Sequence, residues 1–183
     1  MLLSTTIDGL FLREMRMDDF AGFSAWQHDP EIARCFAFTR TPRTPDETRR
    51  VLAEIVGGAH PESVHLAIVL TEPKTRGESF VGVVSLKNRH SIDLHAEFAI
   101  VIGARAHMGK GYGKAAARRM CLYGFEALCL RKIYLNVIAD NVRAVRLYEE
   151  LGFRFEGKFR EHFFRDGVWN DLLWYSVFPS ELR

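Results

Sequence analysis

The stretch MGKGYGKAAARRMCLYGFEALCLRKIYLNVIADNVRAVRLYEELGF, from Met108 to Phe153, decides how the chain is read. Gly109, Gly111 and Gly113 stand on alternate positions at its start, and a helix-forming run follows at once. An apolar strand pattern that ends at Gly103 lies just upstream. Glycine lets a backbone turn tightly and leaves its N–H groups uncovered. A helix N-terminus adds unpaired donors and a partial positive charge, so the place suits a phosphate or pyrophosphate. An ordinary strand-to-helix turn can carry the same glycines, so the loop alone is weak evidence. The continuation adds to it: a second strand, Lys132 to Ile138, leads into a helix with Asn141 and Tyr148 that ends at Gly152.

Working outward, Gly9 to Arg16 alternates roughly as a first strand, and Asp18 and Asp19 can cap a helix that runs to about His28. Pro30 interrupts or restarts it, and Glu31 to Cys35 reads as a further turn. Thr44-Pro45-Asp46-Glu47 combines a Thr cap, Pro in the first helical position and a capping-box Glu, so a helix is predicted to Val56, stopping at Gly57-Gly58. Val64 to Thr71, Ser79 to Asn88 and His95 to Ile102 have strand character. Gly113 to Leu128 reads as the long helix and Asn141 to Leu151 as the last one. Phe153 to Phe164 and Val168 to Phe178 form a hairpin across Asp166-Gly167. The order predicts an α/β (α+β) fold, one mixed, mostly antiparallel sheet of 6–7 strands with helices on both faces.

Composition bounds the function. A chain of 183 residues is expected to be one domain, spanning 1–183, with a proper core. Its 48% hydrophobic and 26% charged residues are those of a globular protein, and a net charge of +2 is too small for nucleic acid as the main partner. The N-terminus has no signal-peptide pattern, and no apolar run approaches the roughly 20 residues of a membrane span, so a cytoplasmic location is expected. Cys35, Cys121 and Cys129 form no Cys-x-x-Cys pair. Cys121 and Cys129 fall in an apolar helical pattern, where a buried thiol acts as a small hydrophobe. The seven histidines lie without ligand spacing, and no metal is expected.

Strand, Gly-loop, helix, strand and Asn-x6-Tyr-x3-Gly-Phe in this order resemble the GNAT superfamily, which transfers acetyl groups from acetyl-CoA to amines. The branch it looks most like holds the ribosomal-protein N-terminal and spermidine N-acetyltransferases. Ala96-Glu97-Phe98-Ala99-Ile100-Val101-Ile102 before the loop and Glu156 to Gly167 near the end carry that likeness. It covers nearly the whole chain, strongly from about Ala96 onward, and is specific to the superfamily but not to a substrate.

The resemblance implies acetyl-CoA as co-substrate and a gap between two splayed parallel strands that admits its pantetheine arm. Met108, Gly109, Lys110, Gly111, Tyr112, Gly113 and Lys114 would then hold the pyrophosphate on backbone N–H groups, with both lysines adding charge. Met108 departs from the family motif, which usually starts with Gln or Arg there and in some relatives of the branch with an aromatic. Ile100, Val101 and Ile102 would contribute main-chain groups, one of which polarises the acetyl carbonyl. Asn141 is an N-cap or a CoA ligand, and Ala144 lies beside it. Tyr148 falls on a buried helical stripe, where a core role is the plain reading, but the resemblance gives it the proton for the departing thiolate. Glu97 is the candidate base, with His95 and Ala99 on the same strand face. Arg34, Arg40, Arg43, Arg49 and Arg50 suggest that a neutral or anionic amine, such as a peptide N-terminus, an amino sugar or a small metabolite, is preferred over a polyamine; a solvated helix face explains them equally. A non-catalytic acyl-CoA sensor on the same fold is the alternative class. No membrane partner is expected, and a homodimer is allowed.

Overall fold

The structure is a computed structural model that describes residues 1–33, 43–71 and 77–183. Eight strands form one sheet in the order β1-β2-β3-β4-β5-β6-β8-β7. They are β1 (Leu2–Ser4), β2 (Leu10–Glu14), β3 (Val64–Thr71), β4 (Glu78–His90), β5 (His95–Ile102), β6 (Lys132–Ile138), β7 (Arg154–Arg165) and β8 (Val168–Val177). Every neighbouring pair is antiparallel except β5 and β6. The sheet therefore exceeds the expected 6–7 strands by β1. Three residues are too few to show an alternation, and β1 exists because Leu3 pairs with Leu12 and is buried against the core.

The helices are α1 (Phe20–Ala25), α2 (Pro30–Ala33), α3 (Pro45–Val56), α4 (Tyr112–Glu126) and α5 (Val142–Glu150). They divide between the two faces as expected. On one face, Ala116, Met120 and Cys121 of α4 and Tyr148 of α5 pack on Leu66, Leu86, Phe98 and Leu135 of the sheet. On the other, Phe23 of α1, Ile32 of α2 and Leu52 of α3 pack on Ala67, Val69, Val83 and Val101. The alternation of β5 is what feeds both cores, because successive side chains leave opposite faces.

Local chemistry explains most boundaries. Thr44 caps α3 by accepting from the Glu47 amide at 3.2 Å, and Glu47 accepts from the Thr44 amide at 2.8 Å. Asp166 and Gly167 both take positive φ, as a two-residue hairpin turn between β7 and β8 requires. Two expectations need correction. Helix α4 stops at Glu126, and Cys129 lies beyond it with φ +53°, exposed, while Cys121 is fully buried. The apolar periodicity ran past the point where the chain turns back. Asp19 gives α1 no side-chain cap, although its Oδ2 accepts from the Arg16 amide at 2.8 Å at the start of the 3-10 turn Met17–Asp19. It also makes a bidentate ion pair with Arg13, at 2.7 and 2.9 Å, with the two residues only 4% and 6% exposed. Among the described residues no helix is long and apolar enough to cross a membrane.

Candidate active site

The site follows from one departure in the sheet. Strands β5 and β6 pair only through His95–Lys132, Ala96–Ile133 and Glu97–Tyr134. Beyond Glu97 the two strands part, although β5 stays paired with β4 as far as Ile102 and β6 with β8 as far as Ile138. The opening is part of a cavity of about 1340 Å³ lined by Phe98 to Ile102 on one side and Asn136 to Ile138 on the other. Because β5 has no ladder partner along this edge, every second residue between Phe98 and Ile102 turns its N–H and C=O toward the opening, as an added extended chain would need.

The glycine loop closes one end. Gly109 and Gly111 take φ of +75° and +81°, a region that side chains rarely occupy. Gly111 is the N-cap of α4 and gives no side-chain cap, so the first amides of the helix are left to another acceptor. An anion fits that requirement. Met108, Gly109, Gly111, Tyr112, Gly113 and Lys114 line the cavity. Lys110 does not: it is exposed and outside the lining. Lys114 is also less available than its sequence suggests, since its Nζ lies 2.8 Å from Glu150 on α5. That lysine holds the Glu150 carboxyl below its ordinary range, first through the hydrogen bond.

Helix α5 forms the opposite wall. Asn141 caps it, accepting from the Ala144 amide at 3.2 Å, and both residues also line the cavity. Arg143, Arg146, Leu147 and Glu150 follow at helical spacing along the same wall. Sequence reasoning missed Arg143 and Arg146, although this i, i+3, i+4, i+7 stripe was legible. Tyr148 is buried and at the same time lines the cavity, its ring 6.2 Å from Phe98 and 5.7 Å from Phe153. Its core role and its place at the cleft coincide.

Glu97 stands where the strands begin to part, and it too lines the cavity. Its Oε1 accepts from Lys87 Nζ at 3.0 Å and its Oε2 from Asn88 Nδ2 at 2.9 Å. Both carboxylate oxygens are thus engaged. Burial, and next the charge of Glu97, push the Tyr134 phenol up from its ordinary range. His95 is turned toward Tyr134 and the β4–β5 turn and is not in the lining. The cavity is also lined by Glu31, by Arg105 and by Phe163, Arg165 and Asn170 of the C-terminal hairpin. Arg105 is held by Asp29 through two contacts of 2.6 and 2.7 Å.

The described part of the arginine cluster expected at the acceptor entrance is placed differently. Arg34 and Arg40 lie outside the described residues. Arg49 lies over the Phe20 ring at 4.2 Å, and Arg43, Arg49 and Arg50 are absent from the described lining. Those three arginines decorate the α3 side of the molecule.

A sheet that splays after a short parallel pairing, with a glycine loop at its mouth, is the architecture of a GNAT acyltransferase. Residues 9–154 match the acetyltransferase (GNAT) domain family, and the chain belongs to that family. It is 42% identical over 95 residues to a spermidine N(1)-acetyltransferase of Vibrio cholerae, covering 52% of this chain and 54% of that protein. Over 103 residues it is 33% identical to the putative ribosomal N-acetyltransferase YdaF of Bacillus subtilis, covering 56% of each. The chain thus spans about half the length of these curated relatives in the matched stretches. A crystal structure of spermidine N-acetyltransferase from Vibrio cholerae in complex with CoA and spermine superposes with a TM-score of 0.84 at 28% identity. That alignment covers 96% of this chain and 98% of the other.

Proposed function

We propose that the protein is an acetyl-CoA-dependent N-acetyltransferase in which a primary amine attacks the thioester directly within a ternary complex. One observation carries this reading: the glycine loop, the gap between β5 and β6, and Tyr148 all lie along one cavity. A CoA thioester needs an anion cradle, a slot for an extended arm and a proton donor near sulfur, in that order.

In this reading the amides of Gly109 to Lys114 bind the pyrophosphate, with Lys114, Arg143 and Arg146 adding positive charge along the walls. Main-chain groups of Ile100, Val101 and Ile102 line the pantetheine, and an N–H among them stabilises the charge developing on the acetyl oxygen. Asn141 keeps its cap through Oδ1 and offers Nδ2 to CoA, while Ala144 leaves room beside it. Tyr148 gives its proton to the thiolate as the C–S bond breaks, a transfer suited to a phenol that is neutral at pH 7. Glu97 takes up the proton released by the amine, through water, since Lys87 and Asn88 occupy its oxygens.

For the acceptor, a peptide N-terminus, amino sugar or small amine metabolite remains the first reading. A polyamine is the second, favoured by the relatives named as spermidine acetyltransferases and by Glu31 and Glu97 lining the cavity. The proposed setting is the cytoplasm. Measuring CoA release from acetyl-CoA with peptides, amino sugars, aminoglycosides, spermidine and spermine tests both. Turnover with any of them supports catalysis, and the preferred amine chooses between the readings. Binding of acetyl-CoA with no release across the panel would make the protein a non-catalytic acyl-CoA sensor.

A further inference from the structure

Away from the cleft, the turn between β4 and β5 gathers groups of a different chemistry. His90 and His95 face each other across the hairpin, with their rings stacked at 5.3 Å and 17°. Asp93 lies in the turn between them, its Oδ2 3.0 Å from His90 Nδ1 and 4.0 Å from His95 Nε2. One ligand atom from each of the three residues falls within 4.8 Å of the others. Ligand atoms held at about 2.0–2.1 Å on a tetrahedral zinc ion stand about 3.4 Å apart. Small shifts of side chains in an accessible turn therefore close the set.

The turn prepares the groups for a cation. The Asp93 amide donates to His90 Nδ1 at 3.1 Å, so that nitrogen's one lone pair points into the turn and passes from the amide to the metal ion on binding. Asp93 Oδ2, a second acceptor, sits beside it. The two atoms lie 3.0 Å apart, a spacing that either a proton or a metal ion can bridge. A proton serves two groups, but the third, His95 Nε2, matches what a metal ion takes in addition. The His95 ring is already positioned: its edge-on contact with Tyr134 is 5.5 Å between centroids, and its Nδ1 is buried without a hydrogen-bond partner. The backbone contributes too, because Leu94 turns through φ +53° and its amide donates to the His90 carbonyl at 2.9 Å.

We propose that His90, Asp93 and His95 form a binding site for a divalent transition-metal ion, with water completing its coordination. Two imidazoles and one carboxylate suit Zn²⁺, Ni²⁺ or Cu²⁺, whereas Mg²⁺ and Ca²⁺ prefer an all-oxygen set. The bound ion clips the β4–β5 hairpin shut. None of the three residues lines the cleft, so the site stands independently of the proposed acetyl transfer.

Calorimetric titration of the metal-free protein with Zn²⁺ at pH 7.5, with Mg²⁺ as the comparison ion, tests the site. One equivalent of Zn²⁺ should bind and Mg²⁺ should not. His90→Ala, His95→Ala and Asp93→Asn should each weaken zinc by more than about tenfold, and lowering the pH to 5.5 should weaken it in the unaltered protein. Zn²⁺ should also raise the melting temperature of the unaltered protein but not that of His90→Ala/His95→Ala. Melting without metal checks that the variants remain folded. Equal zinc affinity in the double variant would place the ion elsewhere, the exposed Cys129 being the first alternative, and would overturn the proposal. So would the absence of binding at millimolar zinc.

Discussion

At the scale of single residues, Tyr148 joins two roles that the sequence set against each other. Its ring is packed between Phe98 and Phe153, and the residue also reaches the cavity wall. Tyr148→Phe keeps the ring, so acetyl-CoA affinity should hold while kcat falls by about 10²–10⁴-fold, the usual range for a lost proton donor. An unchanged kcat with a good amine would return the residue to the core alone. The Arg13–Asp19 pair shows a residue-level feature that pattern reading could not find. Asp19→Ala leaves the buried guanidinium with Glu78 as its remaining carboxylate partner, at 2.7 Å. Breaking a buried pair from one side typically costs about 3–5 kcal/mol, to be read from urea unfolding. A loss below about 1 kcal/mol would mean that Glu78 alone satisfies Arg13. The two thiols should differ as well. Burial pushes the Cys121 thiol well above its ordinary range, so alkylation at pH 8 should label Cys129 and spare Cys121 in the native protein, as peptide mapping would read. Equal labelling of both would contradict the α4 packing.

At the scale of elements, the loop and α4 act as a unit. Gly111 combines positive φ with the N-cap position, so Gly111→Asp strains the backbone and places a negative charge where the anion is proposed to sit. Acetyl-CoA binding should be lost while α4, buried through Ala115, Ala116, Ala117, Met120 and Cys121, still forms. Equal affinity in the variant and the parent would remove the loop from the site. Much at this scale was legible in the sequence. Thr44 with Glu47, the Asp166-Gly167 turn and the alternation of β5 each depend on neighbours within a few positions, and local chemistry determines them. Strand β1 was not legible because its pairing with β2 sets it, and the end of α4 was not because its local stop, Leu130 N–H to the Gly124 carbonyl with Cys129 at positive φ, carries no glycine to mark it.

At the scale of the whole molecule, the cleft is a property of the sheet, made by two strands that pair for three residues and then separate. If acetyl-CoA binds only the folded chain, it should stabilise the protein by about 2.7 kcal/mol at a hundredfold excess over its Kd, seen as a concentration-dependent rise in melting temperature. A melting temperature indifferent to acetyl-CoA would count against the cleft as its site. The sequence alone carried the element order, the sheet with helices on both faces, the glycine loop and the stripe bearing Tyr148. These rest on periodicity and on short-range turn and cap chemistry, which act between neighbours in the chain. The folded arrangement alone decided that Glu97 has both oxygens occupied, that Lys114 is tied to Glu150, that Lys110 stays outside the lining and that Arg49 lies over Phe20 instead of in the cavity. His90, Asp93 and His95 are the exception, since they stand within six positions and meet through the local β4–β5 turn. The reason is geometric: charged side chains choose partners by distance across packed elements, and no spacing within one segment records which elements will meet.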